Sequence, residues 1–394
     1  VTTRLYYRDC YLRSFDAGVV LIEAHGERSH VVLEATAFYP TSGGQPFDTG
    51  TLDGLRVLDV FENDGGEIVH VVDGCVADPS VHGEIDWARR FDHMQQHTGQ
   101  HLLSAVFLEL LGHATVSFHL GEETSTIDLA TGALNPQQVL EAEQRANAVI
   151  LEDRPVHISF RDSAELAGLG LRKQVKREGE VRLVEIEGLD LTACGGTHVA
   201  RTSQIGALLM RKVEKVKQGT RVEFACGGRA ARWARRDYDA LTRAAALLTA
   251  GAHQLPELLA KRMEEQKAAE KERRKLQELL AAYEARDLVA QAAGDVRVVE
   301  RTFDAADVQQ VRFLAAQIAA QPRARAILAI RQPPTLILAQ SKDVSTVDLG
   351  ALVKQLGLRG GGSRDFAQAG AADWEAMARA LADLSPILRG IQAR

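Results

Sequence analysis

Cysteine is scarce in this chain: four residues in 394, at positions 10, 75, 194 and 226, with none of the spacing of a disulfide framework. That excludes a small secreted domain stapled by disulfides. It fits a reducing compartment, where Cys194 stays available as a thiolate. Long apolar runs are missing too. No stretch approaches the roughly 18 uncharged residues that a membrane-spanning helix needs, so no membrane partner is expected. The opening residues, Val1-Thr2-Thr3-Arg4-Leu5, contain no basic region leading into an apolar core, so no signal peptide is read and the expected location is the cytoplasm. Positive charge is in deficit: 47 Lys and Arg face 53 Asp and Glu, a net charge of -6. Global charge therefore gives no support to nucleic-acid binding, and any such contact must come from local basic patches. What remains, 45% hydrophobic and 25% charged residues, is ordinary for a folded chain, and the length suits two or three domains.

Two short runs carry the chemistry. His97-Thr98-Gly99-Gln100-His101 places two imidazoles four residues apart, on one face of a helix. Cys194-Gly195-Gly196-Thr197-His198 places a thiol and an imidazole around a double glycine, which lets the backbone fold back so that the two side chains converge. Either run alone is a weak signal, since histidines are often exposed or satisfied in a core. Together, His97, His101, Cys194 and His198 make a tetrahedral zinc site of three nitrogens and one sulfur, one ion per chain. No Glu lies between the two helical histidines, so this is not the metalloprotease pattern and no general base sits inside the run.

Along the chain, residues 1–90 alternate apolar and polar positions at 19–23, 29–34, 55–60 and 67–72, which reads as a small, mostly antiparallel barrel-like sheet. Inside it, the loop 36–50 exposes Thr41, Ser42, Gly43, Gly44 and Gln45. It is either a turn between strands or a donor-rich loop able to close over a ligand. The period changes to helical from 91 to 111, with Gly112 as the stop. A hairpin at 115–129, a helix from Asn135-Pro136 to 152, and strands at 157–160, 181–186, 205–216 and 221–224 complete a strand-rich α+β domain. The run 211–221, with Arg211, Lys212, Lys215, Lys217 and Arg221, is either a solvated edge or a phosphate contact. Residues 230–292 read as a helical hairpin or short coiled-coil spacer, through which, or through the C-terminal domain, two copies can pair as a homodimer. From 293 a separate α/β unit follows. Near its end Arg359-Gly360-Gly361-Gly362-Ser363-Arg364 reads as a flexible loop or as a backbone cradle for phosphate.

Four segments together resemble a known family. Phe38-Tyr39-Pro40 through Gly43-Gly44-Gln45-Pro46, the 97–103 run, the 194–198 run and Arg359 through Gly370 resemble, in order, the free-standing alanyl-tRNA editing proteins of the AlaX group in their long form. The resemblance implies an α+β protein. It would have a glycine-rich barrel-like domain (1–90) and a zinc-binding editing domain of the kind shared by alanyl- and threonyl-tRNA synthetases (91–229). A helical spacer (230–292) and a C-terminal DHHA1-like domain (293–394) would follow. No Asp-His-His triplet occurs, Asp92-His93-Met94 being the nearest, which argues against phosphoesterase chemistry. The expectation is a protein that edits but does not charge tRNA. The implied reaction is zinc-dependent hydrolysis of the ester joining serine, or glycine, to the terminal adenosine of alanine tRNA. The resemblance assigns Thr41 to serine recognition, Gln45 to positioning ester or water, and Ser42, Gly43 and Gly44 to the substrate loop. His119 and Asp128 join that set, or else brace the sheet or orient a metal-bound histidine. Arg359, Gly360, Gly361, Gly362 and Arg364 are assigned, with the 211–221 cations, to the tRNA body. Four protein ligands fill a tetrahedron, whereas hydrolysis needs an open position. A non-catalytic zinc-stabilised RNA-binding module and a hydrolase of another ester remain as alternatives.

Overall fold

The computed structural model describes residues 2–175, 178–217 and 219–390. Six strands between residues 14 and 85 close on themselves. β1 (Ser14–His25), β2 (Arg28–Leu33), β3 (Gly50–Leu52), β4 (Leu55–Glu62), β5 (Ile68–Asp73) and β6 (Ser80–Ile85) form a six-stranded barrel in the order β1-β2-β5-β4-β3-β6. Their inward positions, among them Val31, Leu33, Leu52, Val60, Ile68 and Val72, fill its core. The short strands β3 and β6 close the barrel and were not read from the sequence. Their apolar positions are too few to show a period.

Asp86 caps the next helix, α1 (Trp87–Leu111), by accepting from the Arg89 amide, and Gly112, at φ 67°, ends it as expected. The hairpin β7 (Thr115–Leu120) and β8 (Ser125–Leu129) follows, then α2 (Pro136–Leu151), which opens on a capping box between Asn135 and Gln138. The strands β9 (Val156–Asp162), β10 (Glu180–Ile186) and β11 (Asp190–Ala193) make a three-stranded antiparallel sheet. The strands β12 (Leu208–Val216) and β13 (Gly219–Cys226) join the hairpin in a second sheet of order β12-β13-β8-β7. One face of this second sheet, with Ile127, Leu129, Val222 and Phe224, packs with Leu102, Leu103, Val106 and Phe107 of α1. Gly99 lies at this contact. A Cβ there would stand 2.3 Å from the Cys226 sulfur, so the helix approaches the end of β13 only because the residue is glycine.

The chain falls into two compact units, Val1–Leu247 and Leu248–Arg394. The stretch 230–292, expected as a spacer, is divided between them. The helix α3 (Gly227–Ala246) lies in the first unit and α4 (Leu255–Gln291) in the second, where Ala281, Ala285 and Val289 pack into a core. The second unit continues with β14 (Arg297–Ala305), α5 (Val308–Ala319), β15 (Ala324–Gln332), β16 (Thr335–Gln340), α6 (Leu349–Gln355), β17 (Arg359–Gly362), β18 (Phe366–Gly370) and α7 (Trp374–Arg389). Its sheet runs β14-β15-β16-β18-β17, mixed parallel and antiparallel.

One expectation is corrected here. The glycine triplet at 360–362 is not a loop but the edge strand β17, paired antiparallel with β18. Gly360 and Gly362 are required by that pairing: a Cβ would lie 2.2 Å from the Gln368 carbonyl oxygen and 2.1 Å from that of Phe366 respectively. Flexible and strand glycines look alike in a sequence; the partner strand decides.

Candidate metal centre

The helical pair and the turn pair meet. His97 and His101 lie on the buried face of α1, and Cys194 and His198 sit just beyond the end of β11. The ligand atoms of all four lie within 4.8 Å of one another. The Cys194 Sγ is 3.4 Å from His97 Nε2 and 3.3 Å from His198 Nε2. The three imidazole rings stand 4.5–5.3 Å apart, centroid to centroid.

Behind each imidazole an oxygen faces Nδ1. His97 Nδ1 is 2.8 Å from Gln45 Oε1, His198 Nδ1 is 3.2 Å from Thr98 Oγ1, and His101 Nδ1 is 3.3 Å from Asp190 Oδ2. Asp190 is held in turn by Arg172 at 2.7 Å. These partners leave the Nε2 atoms of His97 and His198 to face Cys194, the arrangement in which metal-bound histidines are usually found. Burial pushes the Cys194 thiol up, but the surrounding His97, His198 and His101 outweigh it and hold the thiol well below its ordinary value. Burial dominates for His198, pushed down to about 3 against the pull of Cys194. His101 ends above its ordinary value, because Asp190 and Cys194 together overcome the lowering by burial. A thiolate and a neutral imidazole are ligand forms; the proton favoured on His101 is one that metal uptake would release. The donor set therefore fits a metal ion.

The turn 194–198 closes on Gly196. A Cβ on that residue would stand 2.1 Å from His97 Cε1 and 3.0 Å from Gln45 Oε1. Cys194 is the one ligand only partly buried, and it lines a cleft of about 510 Å³ with Gly195, Tyr7, Phe160 and Arg182. The guanidinium of Arg182 donates to the Cys194 carbonyl at 2.6 Å and to the Tyr7 carbonyl at 2.9 Å, fixing the wall of that cleft.

The loop from the barrel reaches the cluster through one residue. Gln45 is fully buried; its Oε1 also accepts from the Thr197 amide at 3.2 Å, and its Nε2 donates to Thr197 Oγ1 at 2.9 Å. With both ends engaged, Gln45 orients His97 rather than presenting itself to solvent. Ser42 and Gln45 exchange backbone hydrogen bonds across Gly43 and Gly44, at φ 56° and 84°, a two-residue turn that favours glycine and at Gly44 has no room for a Cβ, which would stand 2.9 Å from the Phe118 carbonyl oxygen. Gly44 accepts from the Leu120 amide at 3.0 Å, and the adjacent Phe118 ring lies 5.3 Å from His97. Thr41 is exposed and its Oγ1 accepts from the Phe47 amide at 3.2 Å. The loop is tied to α1 by the buried pair of Asp48 and Arg90, whose guanidinium also donates to the Cys10 and Ala37 carbonyls.

Other expected site residues lie elsewhere. Strand alternation sends Phe118 toward His97 and leaves His119 exposed. Asp128 is bound to Arg221 at 2.7 Å and to Ser117 at 2.8 Å, bracing the sheet across three strands. The 211–221 run is not one patch. Lys212 pairs with Glu214 and Arg221 with Asp128, while Lys215 lies on the sheet face of Val213 and Lys217 in the turn after β12. In the second unit Arg359 is exposed on the edge strand, and Arg364 donates to the Ser345 carbonyl at 3.2 Å. Thr98, Thr197 and Asp190 were not singled out from the sequence. The two threonines stood inside the runs that were.

The family model described as the threonyl and alanyl tRNA synthetase second additional domain matches residues 181–223, which hold Cys194 and His198. The alanyl-tRNA editing protein AlaX-M of Methanosarcina acetivorans is 38% identical over 244 residues, covering 57% of this chain and 98% of that protein. AlaX-L of Pyrococcus horikoshii is 38% identical over 245 residues, 58% of each chain. An alanine–tRNA ligase of Pyrobaculum calidifontis is 34% identical over 399 residues, covering 93% of this chain. The chain thus spans 42% of the ligase and 58% of the long editing protein.

Proposed function

This chain belongs to the family of alanyl-tRNA editing proteins, and from that membership we propose that it is an aminoacyl-tRNA deacylase, freeing serine or glycine from mischarged tRNA(Ala). The observation that carries the proposal is the buried cluster of His97, His101, Cys194 and His198, which reaches a cleft at Cys194. Zinc, one per chain, suits the four donors. Zinc–sulfur and zinc–nitrogen bond lengths imply sulfur–nitrogen separations of about 3.5 Å in a tetrahedral site, against the 3.4 and 3.3 Å found here. A bound zinc ion supplies Lewis-acid polarisation and a water more acidic than bulk.

The chain's own residues do the rest. Gln45 and Thr98 hydrogen-bond two of the imidazoles and the Asp190 carboxylate faces the third, so the donors are set before substrate arrives. Cys194, at the cleft, is the ligand nearest the incoming ester. Thr41 accepts from Phe47 and so keeps its own hydroxyl proton to give; in this reading it hydrogen-bonds the serine hydroxyl. A site built around that hydroxyl discriminates against alanine far more strongly than a pocket that merely excludes by size.

The test is release of amino acid from serine-, glycine- and alanine-charged tRNA(Ala) by the protein and by Cys194→Ala. The proposal expects serine or glycine release, alanine retained, and loss of turnover in the variant. No release from any of the three, with zinc bound and RNA binding intact, would instead make the chain a non-catalytic RNA-binding module.

A further inference from the structure

The helix α3 carries five arginines against two aspartates in a chain whose net charge is -6. Arg232, Arg235, Arg236 and Arg243 recur at helical spacing and line a single open groove of about 860 Å³ together with Asp239. They are exposed. Arg235 stands 3.8 Å from Asp239, while Arg232, Arg236 and Arg243 make no ion pair among the described residues, although Glu122 and Glu123 flank Arg232 and Arg236 on one side. From Arg232 to Arg243 the helix rises about 16 Å. Unpaired guanidinium groups in such a row repel one another unless an anion with several charges lies along them.

Two contacts place this row relative to the metal centre. At the start of α3, Arg229 is buried, donating to both Asp92 oxygens at 2.9–3.0 Å and to the Gly121 carbonyl at 2.6 Å. Asp92 lies on α1, five residues before His97, about 7 Å along the helix axis. Further along, Arg211 of β12 bonds Asp237 at 2.9 Å and stacks over Trp233 at 5.2 Å, joining the outer face of the sheet to α3. The cationic row therefore begins one turn after Arg229, which is bonded to the helix that carries His97 and His101.

We propose that the Arg232–Arg236–Arg243 face of α3 binds the phosphodiester backbone of the acceptor end of the tRNA whose terminal ester reaches the cluster. The inference rests on the editing reading for the identity of the RNA. Arginine forks match phosphate oxygens, and neutralising each phosphate releases condensed counterions.

The experiment measures binding of a fluorescein-labelled, uncharged tRNA(Ala) transcript to the full chain by anisotropy, across salt from about 50 to 200 mM. The variants are the triple Arg232→Gln/Arg236→Gln/Arg243→Gln and the matching triple to Lys. The glutamine triple should weaken binding by about tenfold or more and flatten the log–log salt slope by about two to three. The lysine triple should keep the slope. An unchanged affinity and slope in the glutamine triple would overturn the proposal, as would a slope lost in both triples. A glutamine triple that binds tRNA normally but changes the oligomeric state by light scattering would also overturn it, making the groove a contact between copies. Serine release by the wild-type protein decides the editing reading separately. Binding lost in the glutamine triple while the wild type releases no serine would leave the RNA surface established and the editing reading refuted.

Discussion

At the scale of single residues the candidate metal centre depends on contacts that allow no slack. Gly196 has no room for a side chain, since a Cβ would stand 2.4 Å from His97 Nδ1. Gly196→Ala must turn His97 off Gln45, and a loss of at least about tenfold in zinc affinity is expected, read by competition with a chelator. Wild-type affinity would show that the turn relaxes without disturbing the imidazole. Asp190→Asn keeps the shape and removes the charge that faces His101. It should lower zinc affinity by about 10- to 100-fold in the same titration, and an unchanged value would reduce Asp190 to a partner of Arg172 alone. The four clustered side chains were legible in the sequence because each pair is local, four residues apart. Asp190 was not, because it meets His101 only where the end of β10 turns into β11 beside α1. Gln45 was legible as a residue of the site but not as a brace, since its neighbours His97 and Thr197 come from two distant segments.

Among the elements, the barrel and the edge strand of the second unit make separate claims. His70, buried inside the barrel wall, is bonded to Thr36 Oγ1 at 2.8 Å and to the Val31 carbonyl at 3.0 Å, and burial pushes its pKa down to about 4. Between pH 6.5 and 4 the unfolded chain takes up a proton that the native chain refuses. Stability from this group therefore falls as pH drops through that window, by up to about 3 kcal/mol. Urea melts at pH 7 and pH 4.5 should show a larger loss for the wild type than for His70→Gln; equal losses would contradict it. On β17, Gly360→Ala must push against the Gln368 carbonyl and should cost about 1–3 kcal/mol, while Gly361→Ala, with nothing within 4 Å, should be neutral. Denaturant melts of the two variants check this, and equal effects would contradict the tight pairing. Four of the six barrel strands were legible from alternation, and α1 from its 3.6-residue period and glycine stop. The strand β17 was not, because three glycines present no side chains to alternate.

For the whole molecule, the first unit contains the barrel, the metal cluster and the arginine row of α3, and the second contains the glycine strand. Stripping the metal should lower the melting temperature of the first unit, since its ligands come from α1 and from the turn after β11 and bind better folded than unfolded. The measurement that bears most directly on the whole account follows serine release from seryl-tRNA(Ala) as zinc is restored stepwise to stripped, folded protein. The rate should rise with bound zinc, level off at one ion per chain and stay near background in Cys194→Ala. Full-rate release by the metal-free protein, or saturation with zinc and no release, would contradict it.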